Sequence, residues 1–164
     1  MAELAREYGA GLILMHRRGN PETMQQLAVY KDVVEEVLHE LEESVEQAQA
    51  WGVDAEQIVI DPGFGFSKTA EQNIEMLASF EKFQSLGRPV LAGLSRKSFL
   101  GVLTGKPAGD RDWATAAAVT TAVLKGAQII RVHDVSAMKD AARVAEKLIR
   151  NAGADAPPHL KSAF

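Results

Sequence analysis

The sequence predicts an α/β fold built on parallel strands, and three observations carry that prediction. Four short apolar runs rich in branched residues recur along the chain, at Leu12 to Met15, Ile58 to Ile60, Val90 to Ala92 and Ile129 to Val132. Amphipathic stretches of helical period separate them, so strand and helix alternate. The runs are apolar throughout, the pattern of parallel strands covered on both faces. Two architectures satisfy this: a small four-stranded doubly wound sheet, or a piece of a (β/α)₈ barrel. A complete barrel typically takes about 250 residues, and this chain has 164.

The strongest helix lies between the first two runs, where Val33, Val34, Val37, Leu38, Leu41, Val45 and Ala48 recur every three or four residues. Its other face carries Glu35, Glu36, Glu40, Glu42, Glu43 and Glu46, which reads as a solvated face. A second helix is expected over Glu71 to Phe83, with Ile74, Leu77, Phe80 and Phe83 inward. A third, over Trp113 to Lys125, is built of alanine, threonine and valine for close packing. The fourth spans Ala137 to Arg150 with Ala141, Val144, Ala145 and Leu148 on one face. Residues 151–164 hold Pro157-Pro158 and no periodicity, so the chain divides into a domain over 1–150 and a C-terminal tail over 151–164.

Composition narrows the function. Twenty-two acidic and 18 basic residues give a net charge of −4, which argues against a nucleic-acid-wrapping surface. The absence of cysteine excludes disulfides and thiolate metal sites and favours a reducing compartment. The N-terminus lacks the regions of a signal peptide, and no apolar run approaches a membrane span. A soluble, cytoplasmic domain with no nucleic-acid or membrane partner is therefore expected.

The unusual residues follow the strands: Met15-His16 with Arg17, Arg18 and Gly19; Asp61-Pro62-Gly63-Phe64-Gly65-Phe66; Gly93-Leu94-Ser95-Arg96-Lys97-Ser98; and Arg131-Val132-His133-Asp134. In parallel α/β proteins the carboxyl ends of the strands share one rim, where ligands bind. The opposite ends carry plain turn residues, Gly52, Gly87 and Gly126. No P-loop is present: the glycines it requires fall at Pro62 and Ser67, or at Leu91 and Arg96. Gly93 to Lys97 starts like a nucleophile elbow but ends in lysine. His16, His39, His133 and His159 are too dispersed for a local metal pair.

Asp61, set on a rigid Pro-Gly turn, can accept two parallel hydrogen bonds from a planar ligand, or cap a turn. Of Phe64 and Phe66, one ring can wall a ligand; the alternative is that the rings are ordinary core. Lys97 sits at the rim, and Arg131 and His133 alternate onto one face of the last strand, both able to meet an anion. An internal salt bridge of Arg131 with Asp134 or Asp61 is the alternative. Met15 reads as soft packing beneath the site, and His16 stays unassigned.

Taken together, the Asp61–Phe66 segment with Lys68-Thr69, the stretch Gly93 to Phe99, Arg131-Val132-His133-Asp134-Val135, and Met15-His16-x-x-Gly19 closely resemble dihydropteroate synthase over about Ala2 to Arg150. Methyltetrahydrofolate-dependent methyltransferases, another group of pterin-binding barrels, share parts of the pattern; the stretch Ser95 to Phe99 favours the synthase. The resemblance implies strands five to eight, the C-terminal half, of a TIM (β/α)₈ barrel. The implied reaction joins p-aminobenzoate to 6-hydroxymethyl-7,8-dihydropterin pyrophosphate and releases pyrophosphate. In that family's terms Asp61 holds the pterin N–H groups, Lys97 contacts the ring edge, and Met15 and Gly93 line the pocket. Arg131 and His133 bind pyrophosphate, while Phe66, Lys97 and Ser98 border p-aminobenzoate; Lys97, Arg131 and His133 are the catalytic set.

The family's first four strands, with their pterin-binding aspartate and asparagine and the loop asparagine associated with Mg²⁺, have no counterpart here. Arg17 stands where many relatives carry methionine, and Ser67 where many carry glycine. A half-barrel leaves two open strand edges, so an edge-paired oligomer, a flatter reorganised sheet or a marginal, aggregation-prone chain is expected; the resemblance separately implies a homodimer through the last helices. Three functions follow: a pteroate-forming transferase when halves assemble, a pterin-binding module without turnover, or an inert fragment.

Overall fold

The computed structural model describes residues 1–152. Six α-helices and four strands follow in the order α1 (Ala2–Tyr8), β1 (Leu12–Met15), α2 (Val33–Ala50), β2 (Ile58–Asp61), α3 (Ala70–Ala78), β3 (Leu91–Ala92), α4 (Ser98–Thr104), α5 (Asp112–Leu124), β4 (Ile129–Ile130) and α6 (Val135–Ala152). The expected tail falls outside the described residues from 153 onward, and α6 runs two residues past Arg150.

All strand pairs are parallel. Leu12 to Met15 of β1 lie opposite Ile58 to Asp61 of β2, and Leu91-Ala92 of β3 opposite Ile129-Ile130 of β4. One bridge, Ile60 to Val90, links the two pairs. Each strand thus neighbours the next in sequence, and their carboxyl ends fall on one side. Expected coverage on both faces holds for β2 and β3, where Ile58, Ile60, Leu91 and Ala92 are buried. It fails at the outer strands: Ile13 is 50% and Ile129 38% exposed, because β1 and β4 each pair on one side only among the described residues.

Helix α2 starts where Asp32 accepts the Val34 and Glu35 amides, satisfying two donors that the first turn leaves free. Its buried stripe, Val33, Val34, Val37, Leu41, Val45 and Ala48, follows the sequence pattern. The second predicted helix divides. Helix α3 ends at Ser79, and a 3₁₀ segment, Phe80–Leu86, carries the chain on. Three residues per turn bring Phe80 and Phe83 onto one side, and both are fully buried. Met76 and Asn73, not Ile74, form the buried face of α3; Ile74 is exposed.

The last helix also turns differently from its sequence reading. Met138, Ala145 and Ile149 face α5, with Ala141 and Ala142 beside them, whereas Val144 and Leu148 are exposed. Helix α1 precedes the first strand, as the resemblance implies. Helix α4 is not among the helices the sequence predicts: it spans only seven residues, too few for periodicity to stand out. Among the described residues no helix is long and apolar enough to cross a membrane.

Candidate active site

The loops after β2, β3 and β4 meet at the carboxyl rim around an open cleft of about 240 Å³, lined by Phe66, Gly93, Ser95, Lys97, Arg131, Val132 and His133. Asp61 closes β2 behind this lining, fully buried. One carboxylate oxygen accepts the Gly63 amide at 2.8 Å, and the other accepts Arg131 Nη2 at 2.9 Å. The Arg131–Asp61 pair is therefore formed, one of the two partners the sequence allowed. Burial pushes the Asp61 carboxyl up, while the Gly63 N–H, Arg131 and Lys97 pull it back.

Two glycines permit this arrangement. Gly63 has φ 73°, and a Cβ there would lie 2.0 Å from the His16 carbonyl oxygen, so only glycine lets the turn pack on the first loop. At Gly93 a Cβ would come within 2.7 Å of Arg131 Nη2, so its absence opens the guanidinium's path to Asp61.

The two phenylalanines divide as the sequence allowed. Phe64 is buried between Phe80 and Phe99, with ring centroids 6.1 and 6.2 Å away. Phe66 faces the cleft with Lys97 Nζ 4.2 Å from its ring centroid, a cation–π contact. Burial lowers the Lys97 ammonium's pKa, with Asp61 opposing the shift. Lys97 caps α4, and its carbonyl, like that of Arg96, accepts from the Arg111 guanidinium. Arg131 and His133 lie beyond the end of β4 rather than within it, yet both reach the cleft.

Ser95 was not singled out by the sequence. Its Oγ lies 2.8 Å from His133 Nδ1 and accepts the His133 amide at 3.2 Å, fixing the imidazole at the rim. Ser98 is exposed on the first turn of α4 and does not line the cleft. Nor does Met15, half-buried and in register with Asp61. The loop after β1 thus lies behind the site, and three loops, not four, line the cleft.

Behind the Asp61 turn the acidic face of α2 is not all solvated. Arg18 donates to Glu36 at 2.8 Å and, through Nε, to Glu40 at 2.9 Å, with its guanidinium 3.9 Å from the Tyr30 ring centroid. His16 Nε2 lies 2.9 Å from Glu40, and His16 Nδ1 lies 2.9 Å from Lys68 Nζ. Desolvation, with help from Lys68, lowers His16 to about 4. Burial also lowers Lys68 to about 7, although Asp61 and Glu40 pull upward. Burial pushes Glu40 up, but hydrogen bonds from Arg18 and His16 leave it below the ordinary carboxylate value. Ser67 sits at φ 49° and accepts the Arg18 amide at 3.0 Å.

The described residues hold no ready-made metal cluster. No three His, Asp or Glu side chains among them cluster, and the carboxylate at the rim is occupied by Gly63 and Arg131. What the cleft offers instead is one buried acceptor, a cation beside an aromatic wall, and an arginine–histidine pair suited to a phosphate-type anion.

Comparison with known proteins identifies the family the chain resembles. A family described as pterin binding enzyme matches residues 1–133. A dihydropteroate synthase from Synechocystis sp. is 46% identical over 148 residues, which cover 90% of this chain and 51% of that protein. A Yersinia pestis dihydropteroate synthase, solved with a sulfonamide drug complex, superposes with a TM-score of 0.88 at 34% identity, covering 92% of this chain and 55% of that one. The enzyme from Thermus thermophilus in complex with 4-aminobenzoate gives a TM-score of 0.84 at 41% identity, covering 90% and 60%. The chain spans about half the length of the curated relatives it matches.

Proposed function

The chain belongs to the pterin binding enzyme family, and from that premise we propose that it carries the binding half of a dihydropteroate synthase. Its cleft takes 6-hydroxymethyl-7,8-dihydropterin pyrophosphate and presents the methylene carbon to p-aminobenzoate. The observation that carries this reading is the meeting of Asp61, Phe66, Lys97, Arg131 and His133 from three separate loops at one rim. The four strands are read as strands five to eight of a (β/α)₈ barrel. Their sequential parallel order, joined by the Ile60–Val90 bridge, supports that placement.

Ligand binding exchanges partners at Asp61. The pterin's adjacent N–H donors replace Arg131 on the carboxylate, and Arg131, half-exposed on its other side, turns to the pyrophosphate beside His133. Lys97 meets the polar ring edge and, with Phe66, borders p-aminobenzoate. For the whole protein the amine nitrogen attacks the methylene carbon as the C–O bond to pyrophosphate breaks, and the amine then loses a proton. Arg131 and His133 stabilise the charge that develops on the leaving group, and alignment of the two substrates supplies much of the remainder. For residues 1–164 alone the proposal is binding of the pterin substrate. No step is assigned to magnesium, which finds no carboxylate cluster among the described residues.

Calorimetric titration of the chain with the pterin pyrophosphate tests this. Saturable binding is expected, weakened at least about tenfold by Asp61→Asn, the scale of losing a charge-assisted hydrogen bond. Absence of binding by the folded chain contradicts the proposal. Turnover of p-aminobenzoate by this chain, abolished by Lys97→Ala, would extend the proposal from binding to catalysis.

A further inference from the structure

Lys68 is a buried cation that no role at the cleft accounts for: it is 3% exposed and absent from the lining. Its Nζ lies 3.2 Å from the Gly63 carbonyl oxygen, 3.0 Å from the Phe66 carbonyl oxygen and 2.9 Å from His16 Nδ1. An ammonium has three donors, and here each finds one acceptor. For His16 Nδ1 to accept, the imidazole proton sits on Nε2, which donates to Glu40 Oε2 at 2.9 Å. Arg18 fixes Glu40 from the other side. The chain of contacts thus runs from the back of the Asp61 loop, through the loop after β1, to helix α2.

We propose that Lys68 is a positioning residue that clasps the loop 61–68 from behind and so holds Asp61 and Phe66 toward the cleft. The two carbonyls it binds bracket the loop's glycine turn. Gly63 donates its amide to Asp61, and Phe66 is the aromatic wall beneath Lys97. Pulling both carbonyls inward sets the carboxylate's direction and the ring's place together. Asn73 assists from α3 by accepting the Gly65 amide at 2.7 Å. In a neutral variant His16 Nδ1 would lose its partner, and the Gly63 and Phe66 carbonyls would keep only the Phe66 amide and the Ser67 hydroxyl, so the loop would loosen toward water. The inference rests on the pterin reading only for what the held loop binds.

The test compares Lys68→Met with Lys68→Cys alkylated, while unfolded, with 2-bromoethylamine. The chain contains no other cysteine, so alkylation restores an ammonium at this one position. Amide hydrogen exchange is read at Gly63, Gly65 and Phe66, beside the affinities for the pterin pyrophosphate and for inorganic pyrophosphate. Lys68→Met is expected to speed exchange about tenfold or more in the loop and not at Ile58 to Ile60. It is also expected to weaken the pterin ligand about tenfold with little change for inorganic pyrophosphate. The aminoethylated protein should recover both. Unchanged loop exchange, exchange accelerated equally along β2, a Met variant that does not fold, or no recovery on aminoethylation overturns the proposal. Failure of the unmodified chain to bind the pterin ligand overturns the functional reading instead, and loop exchange still decides the role of Lys68.

Discussion

At the scale of single residues, the site depends on polar groups taken out of water and given partners. His16 shows the consequence. It is buried, accepts from Lys68 and donates to Glu40, an arrangement that only the neutral imidazole can make. Its pKa falls from 6.5 to about 4, so between those values the unfolded chain binds a proton that the folded chain refuses. Stability therefore rises with pH through this window and is lost as pH falls from 6.5 toward 4. The shift corresponds to about 3 kcal/mol at most. Denaturant unfolding at pH 7 and pH 4.5 is expected to show this loss, and His16→Gln, which cannot titrate, should flatten the slope. An unchanged slope in that variant would contradict the assignment. The sequence placed His16 after a strand but could not reveal this, because Glu40 and Lys68 lie 24 and 52 positions away. Ser95 was hidden similarly. A serine inside a motif carries no sign that its hydroxyl will meet His133, 38 residues on.

At the scale of elements, what was readable is what periodicity controls. The buried stripe of α2 and the full span of β1 follow directly from apolar spacing. The second helix misled because Phe80 and Phe83 fit an α-helical face and also fit a 3₁₀ turn, where three-residue spacing aligns them. On α6, Val144 and Leu148 are spaced as well as Ala145 and Ile149. The choice between two apolar stripes was made by packing against α5, which no local pattern encodes. The strand edges carry a prediction. With Ile13 and Ile129 exposed on the outer sides of β1 and β4, which have no strand partner among the described residues, the chain is expected to associate through these edges. Sedimentation velocity should show a concentration-dependent oligomer, reduced by Ile13→Lys; a concentration-independent monomer would contradict the edge-pairing account.

For the whole molecule, the rule that parallel strands gather their loops on one rim points to the cleft at the carboxyl ends of the strands. It explains why Phe66, Lys97, Arg131 and His133, up to 67 positions apart, share one cleft with Asp61 buried behind it. The rule did not say which loops line the cleft and which stand behind. That division arises from Gly63 packing on the His16 carbonyl, which puts the loop after β1 at the back with its Arg18–Glu40–His16–Lys68 chain. The rim is internally paired, with Arg131 on Asp61, and the proposed pterin binding breaks that pair. A crystal structure of the chain with the pterin pyrophosphate tests the central claim most directly. The account predicts the pterin N–H groups on Asp61, with Arg131 released and bound to the pyrophosphate beside His133. A pterin bound elsewhere, or an intact Arg131–Asp61 pair in the complex, would contradict it.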